Sequence, residues 1–266
     1  MAEPASPPEG KEDPLTISAI ATLAFLLADV LQMGLGHAAL ALLTIAPNGI
    51  LTSAGWSSAY DNPLIDSGGV IVGLAAAALF GLSLRVFATA SARVRLFLVL
   101  ACAFNLLAST GTLFFYGLTD IGDWYTVLQG AARWTPLRTG LIVTGIVTYL
   151  GALFLVAWAL AHSLGLTRGD RARYARITRS AWLSAMVVSC LAAVPNPLGV
   201  KYVLLSDLPM ALASDTGLLF VRYFAMTRSS PAAAERVTRS RLWIAAAAIL
   251  ALVFILLLGR GITLNR

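Results

Sequence analysis

Seven apolar runs of about twenty residues, separated by joins too short to fold alone, constrain this chain more than any other feature. In the core of a bilayer every backbone N–H and C=O must be bonded within the protein, so runs of this length are helices and not the alternating strands of a barrel. They lie near residues 16–42, 69–90, 96–117, 137–163, 181–198, 203–226 and 242–259. The expected fold is all-α: a polytopic transmembrane helical bundle of about seven spans. The chain is 58% hydrophobic and 12% charged, with a mean hydropathy of +0.81, whereas a soluble domain is about half apolar and a quarter charged. Pro195, Asn196 and Pro197 interrupt the fifth run and remove backbone donors, so two readings stand for 181–226. One is a pair of full spans, and the other is a broken or re-entrant segment near 195–200.

Residues 1–14 form an acidic tail, in which Glu3, Glu9, Glu12 and Asp13 outnumber Lys11 among several prolines. It lacks the basic start of a secretory signal and is expected to be disordered and uncleaved, leaving 15–266 as a single transmembrane helical domain. Orientation follows from Lys and Arg in the short joins, which stay on the cytoplasmic side. Arg85, Arg93 and Arg95 fall in one join, Arg168, Arg171, Arg173, Arg176 and Arg179 in a second, and Arg222, Arg228, Arg236, Arg239 and Arg241 in a third. These thirteen share one side, against five (Arg133, Arg138, Lys201, Arg260 and Arg266) on the other. The bias predicts a cytoplasmic N-terminus and an outer C-terminus, in a membrane of the bacterial cytoplasmic (inner) type. Arginines beside spans explain the pI of about 9.7, and no nucleic-acid partner is inferred. The Arg168–Arg179 group also suits anionic lipid head groups.

Trp56, Tyr60, Trp124, Tyr125 and Trp134 in the outer joins read as interfacial anchors. Gly69, Gly73, Ala77 and Gly81 recur at four-residue spacing in the second helix and make a groove for close helix approach, either within the chain or between two copies. Cys102 and Cys190 lie in apolar runs, where a thiol acts as a small hydrophobe.

Ionisable residues inside spans are costly, at about 2.5–3.5 kcal/mol each at the bilayer centre on insertion scales, so each is a functional candidate. Helix one carries Asp29 and His37, helix six carries Asp207 and Asp215, and Gln32, Asn105 and Asn196 are neutral companions. Members of each pair stand eight residues apart, about 80° around the helix and about 12 Å along it, too far for a direct hydrogen bond. If the two helices face each other, His37 can pair with an acid of helix six, which would favour the ionised form of both. The competing reading makes His37 a satisfied structural residue, and Asp207 and Asp215 wetted structural groups.

The segment TLAFLLADVLQMGLGHAALAL, residues 22–42, resembles the first metal-binding helix of the site-2-protease-like intramembrane metalloproteases, which carries His-Glu-x-x-His. In that register the five positions are Met33, Gly34, Leu35, Gly36 and His37. Met33 replaces the first imidazole and Gly34 the carboxylate that activates water, so the family's zinc site cannot be assembled from this helix. A weaker echo is Asn105 followed by Asp120 and Asp123, where the family supplies a later ligand, although an acidic, aromatic turn at the outer surface is most simply a solvated cap. The resemblance implies a similar membrane-embedded helical fold with its peptidase chemistry lost or rebuilt.

The first expectation is a non-catalytic integral membrane protein, with neither metal nor cofactor, whose partners are the lipid bilayer and another membrane protein. One alternative is a transporter or proton-coupled permease using Asp29, His37, Asp207 and Asp215. The other is a metalloenzyme whose ligands come from several helices, for instance His37 with both acids of helix six or with Asp123.

Overall fold

The computed structural model describes residues 12–44, 48–58, 63–119, 136–199, 201, 203, 208–226 and 235–264. Helix α1, Pro14–Thr44, starts where Asp13 accepts hydrogen bonds from Thr16 N (3.1 Å) and Thr16 Oγ1 (2.6 Å) and Pro14 fills the first helical position. Its middle, Val30–Ala39, is wound as a π-helix. That stretch holds Gly34 and Gly36, two weak helix formers, and Gly36 lies directly against the backbone of Gly68 and Gly69. Helix α2 (Pro63–Val86) and helix α4 (Pro136–Leu164) also open on proline, and α3 spans Ala92–Thr119. Helix α5 (Arg171–Ala193) follows a short 3-10 turn closed by a Thr167/Asp170 capping box. Helix α6 (Leu208–Asp215) continues as a 3-10 helix over Thr216–Phe224, and α7 spans Arg241–Leu257.

Four of these helices, α1 to α4, are long and apolar enough to cross a membrane. The chain is thus all-α in class, and among the described residues α5, α6 and α7 are too short or too polar to meet that measure. Arg171, Arg173, Arg176 and Arg179 make the first half of α5 polar, and α7 has 17 residues, about 25 Å of helix. α3 is the central helix: 72% of its most apolar stretch is buried, against 28% for α2 and for α4. Ile17, Ile20, Leu96, Leu100, Phe104 and Leu160 form the main core, and Phe25 meets Phe104 edge-on at 5.6 Å. The outward faces of α2 and α4 expose Ile71, Leu79, Leu82, Val147, Leu150 and Phe154, as surfaces solvated by lipid do.

Several expected boundaries move. The fifth run, read as 181–198, is helical over Arg171–Ala193, because its arginine-bearing turns continue the helix beyond the apolar stretch. Pro195, Asn196 and Pro197 follow the helix as a turn, with Asn196 N bonded to Ala193 O and Leu198 N to Asn196 Oδ1 (2.9 Å). The described part of 195–200 therefore follows the end of α5 as a turn. The sixth run, read as one helix over 203–226, changes from α to 3-10 at Asp215. A three-stranded antiparallel sheet was not expected: β1 (Gly49–Thr52) lies between β2 (Gly55–Ser58) and β3 (Ile262–Leu264). Its register pairs Leu51 with Trp56 on one side and with Ile262 on the other. Strands of three and four residues are too short to show alternation in a sequence.

The arginine-rich joins converge at one end of the bundle. Asp13 N donates to Val237 O (2.9 Å), Ser240 N to Thr16 Oγ1 (3.0 Å) and Glu235 N to Leu164 O (3.2 Å). Arg95 pairs with Glu235, and Arg173 pairs with Glu12 at 2.6 Å while also reaching Glu235 O. Glu12 and Asp13, expected in the tail, are structural residues here, and residues 1–11 lie outside the described ones. The opposite end holds the sheet, the end of α5 and the end of α7, joined where Ser53 N donates to Leu258 O (3.0 Å).

Candidate functional site

Several interior polar residues line one cavity of about 70 Å³ between α1, α3, α5, α6 and α7. Asp29 and Asp215 both line it, with Gln32, Ser214 and Ser189, and Ser53 closes it from the β1–β2 turn. Phe25, Phe104 and Phe254 form apolar walls, so the carboxylates face each other's space in a low-dielectric surround. The volume is enough for a few water molecules or a small cation.

Each carboxylate sits at a helix irregularity. Asp29 is the last regular residue of α1 before the π segment, halfway along that helix, and Asp215 is the last regular residue of α6 before the 3-10 segment. Changes of winding redirect backbone donors and acceptors, and π and 3-10 stretches inside helices are frequent at functional sites. At the α6 junction the freed groups are bound by Tyr149 of α4. Its hydroxyl donates to Ser214 O (2.5 Å) and accepts from Gly217 N (2.9 Å), while a Cβ at Gly217 would collide with the tyrosine ring. Asp215 is 4% exposed, and its Oδ1 and the Oγ of Ser214 find no hydrogen-bond partner among the described residues.

The three acids and the imidazole expected to form a site are divided. Asp29 and Asp215 are brought together. His37 is buried on another side of α1, with Nδ1 hydrogen-bonded to Ile65 O (2.9 Å) and Nε2 against Gly69 of α2. Asp207 lies outside the described residues, as do Asp120 and Asp123. Met33, at the position of the family's first histidine, lines the cavity, whereas a Cβ at Gly34 would meet nothing within 4 Å. Among the described residues no three His, Cys, Asp or Glu side chains converge to hold a metal ion.

The glycine stripe of α2 faces its own chain. Gly69 lies under the His37 ring, and Gly73 lies under Ser109 Oγ with Asn105 O and Gln32 Nε2 nearby. Trp56, expected as an interfacial anchor, packs on Leu40, Ala41 and Ile65 where α1 and α2 meet. Sequence reasoning missed Tyr149, Ser53, Ser189, Ser214 and the buried Arg138, whose Nε donates to Gly117 O (2.8 Å). Hydroxyls give little warning of such roles, since in a helix they bond the carbonyl four residues back, as Thr112 Oγ1 does to Ala108 O (2.6 Å). Arg138, one of the five outer-side charges, lies in the first turn of α4 and is buried. Comparison with protein-family models, curated proteins and solved structures finds no match to this chain.

Proposed function

We propose that this chain is a multi-pass integral membrane protein whose Asp29/Asp215 cavity takes up and releases protons or a small cation, as a proton-coupled permease does. The observation that carries this reading is that two carboxylates, each at a break in helix winding, line one cavity beside the midpoint of α1. Ionisable groups in that position are expensive in lipid and mark ion or proton pathways, and broken helices are the usual frame of ion sites in transporters. In this reading all seven helices span, the arginine-rich end is cytoplasmic, and the sheet and C-terminus are outside. Peptidase chemistry of the metalloprotease kind has no base at Gly34 and no first imidazole at Met33.

The test uses the full chain in detergent, with protons and alkali cations themselves as probes. Binding of either to the folded state raises the melting temperature, by an amount that grows with the logarithm of ligand concentration above the dissociation constant. The dependence of melting on pH or on Na⁺ or K⁺ is expected to be lost in D215N and reduced in D29N, along with the protonated-carboxyl infrared band. Unchanged dependence in both variants would rule the reading out.

A second reading, a non-catalytic protein that binds a membrane helix of a partner, is favoured by a different surface. α1 and α7 flank an apolar groove of about 470 Å³ lined by Leu27, Val30, Gly34, Leu250, Val253 and Leu257. Both readings predict no stoichiometric zinc, and metal analysis finding one tightly held zinc per chain would replace them with the rebuilt metalloenzyme.

A further inference from the structure

α2 and α4 flank α3 without packing closely on each other, and the gap between them is a lateral groove of about 680 Å³. Its walls are apolar: Leu74, Ala78 and Leu82 from α2, Leu106 from α3, and Leu155 and Trp158 from α4. Several of these face outward, with Leu82 59% and Leu155 52% exposed, so the groove opens to the surrounding lipid along its length. One end differs from the rest. Arg85, Arg95 and His162 line it, at the end of the bundle where the arginine-rich joins meet, and the His162 ring lies over Trp158 at 4.6 Å. Arg85 is exposed and forms no ion pair among the described residues, whereas Arg95 shares its guanidinium between Glu235 and Ala88 O. Among the described residues no carboxylate lines the groove.

From the arginines to the far wall, Arg85 to Leu74 on α2 and Arg95 to Leu106 on α3 each cover eleven residues, about 16 Å of helix. That matches one leaflet of a hydrocarbon core about 30 Å thick. The dimensions, the apolar walls and a cationic mouth at the head-group end together specify the occupant. We infer that this groove holds one anionic phospholipid, with its phosphate on Arg85 and an acyl chain along α3. Guanidinium forks bind phosphate oxygens in pairs, and the net positive mouth selects an anionic head group over a zwitterionic one. The site is separate from the Asp29/Asp215 cavity, so its failure leaves the proposed function standing, and the reverse also holds.

Native mass spectrometry of the full chain, offered phosphatidylglycerol, phosphatidylcholine or inorganic phosphate, tests the inference. One phosphatidylglycerol per chain is expected to be retained in preference to phosphatidylcholine, with no retention of free phosphate. R85Q, at an exposed position, is expected to weaken retention about fivefold. A78W fills the groove from an exposed alanine, and is expected to bring retention to background without lowering the melting temperature. Equal retention of the two lipids, free phosphate binding as well as phosphatidylglycerol, R85Q matching the wild type, or a folded A78W that keeps its lipid would each overturn the assignment. Should A78W fail to fold, R85Q and the comparison of lipids on the wild type still decide the matter.

Discussion

Two glycines two residues apart on α1 are expected to respond in opposite directions to the same substitution. A Cβ at Gly36 would stand 2.7 Å from Gly69 Cα, 2.8 Å from Gly69 N and 2.9 Å from Gly68 C, all backbone atoms that cannot rotate away. Carbon atoms pack at about 3.5 Å or more, so α1 and α2 must part by roughly 0.8 Å. A gap of that size forfeits about a quarter to a half of the dispersion energy of the atoms along the seam, and overpacking of this kind costs about 1–3 kcal/mol. The separation also stretches the bond from His37 Nδ1 to Ile65 O, one residue along, which contributes about 0.5–1.5 kcal/mol. Against this, alanine is the better helix former by about 0.8–1.0 kcal/mol. The loss dominates for G36A, and its melting temperature should fall by roughly 3–10 °C at about 2–4 °C per kcal/mol for a chain of this size class. G34A has no atom to meet within 4 Å and retains only the favourable term, so it should melt about 2–4 °C higher. The assay is thermal unfolding of both variants in one detergent, followed by intrinsic fluorescence and by monodispersity. A neutral G36A, or two shifts of the same sign, would refute the close backbone crossing of α1 and α2.

Other consequences follow from single contacts. Tyr149→Phe removes the acceptor of Gly217 N and should cost about 1–3 kcal/mol, with faster hydrogen exchange over residues 214–220 while the end of α1 keeps its protection. Glu12→Gln breaks the pair with Arg173, in which the Glu12 side chain is only 4% exposed; a loss of about 1.5–3 kcal/mol in thermal unfolding is expected, and a wild-type melting curve would show the pair to be idle. In a chain with Cys102 and Cys190 replaced, a cysteine at Ser58 should react with a membrane-impermeant thiol reagent on intact cells, and one at Arg171 only after permeabilisation. The reverse pattern would invert the proposed orientation.

How far the site can be read in the sequence depends on which residue is asked. Asp29 and Asp215 stand out because a carboxylate in an apolar run needs a reason, and both line the cavity. His37 stands out by the same logic, yet its ring is used to fasten α1 to α2. A buried imidazole that donates to a carbonyl and one that serves chemistry look alike in a sequence, since both interrupt an apolar helix.

The residue pattern alone determines helical class, the lipid-facing character of α2 and α4, and the collection of arginines at one end, because each follows from solvation and the solvent acts on residues one at a time. It also predicts, through the four-residue spacing of Gly69 and Gly73, that some backbone comes close there. Only the tertiary structure decides that the close neighbour is α1 of the same chain, that α6 tightens to 3-10 winding after Asp215 beside the hydroxyl of Tyr149, and that strand β3 closes a sheet with residues more than two hundred positions earlier. Those outcomes depend on contacts between segments distant in the chain, whose register is set by packing, and no local preference carries that information.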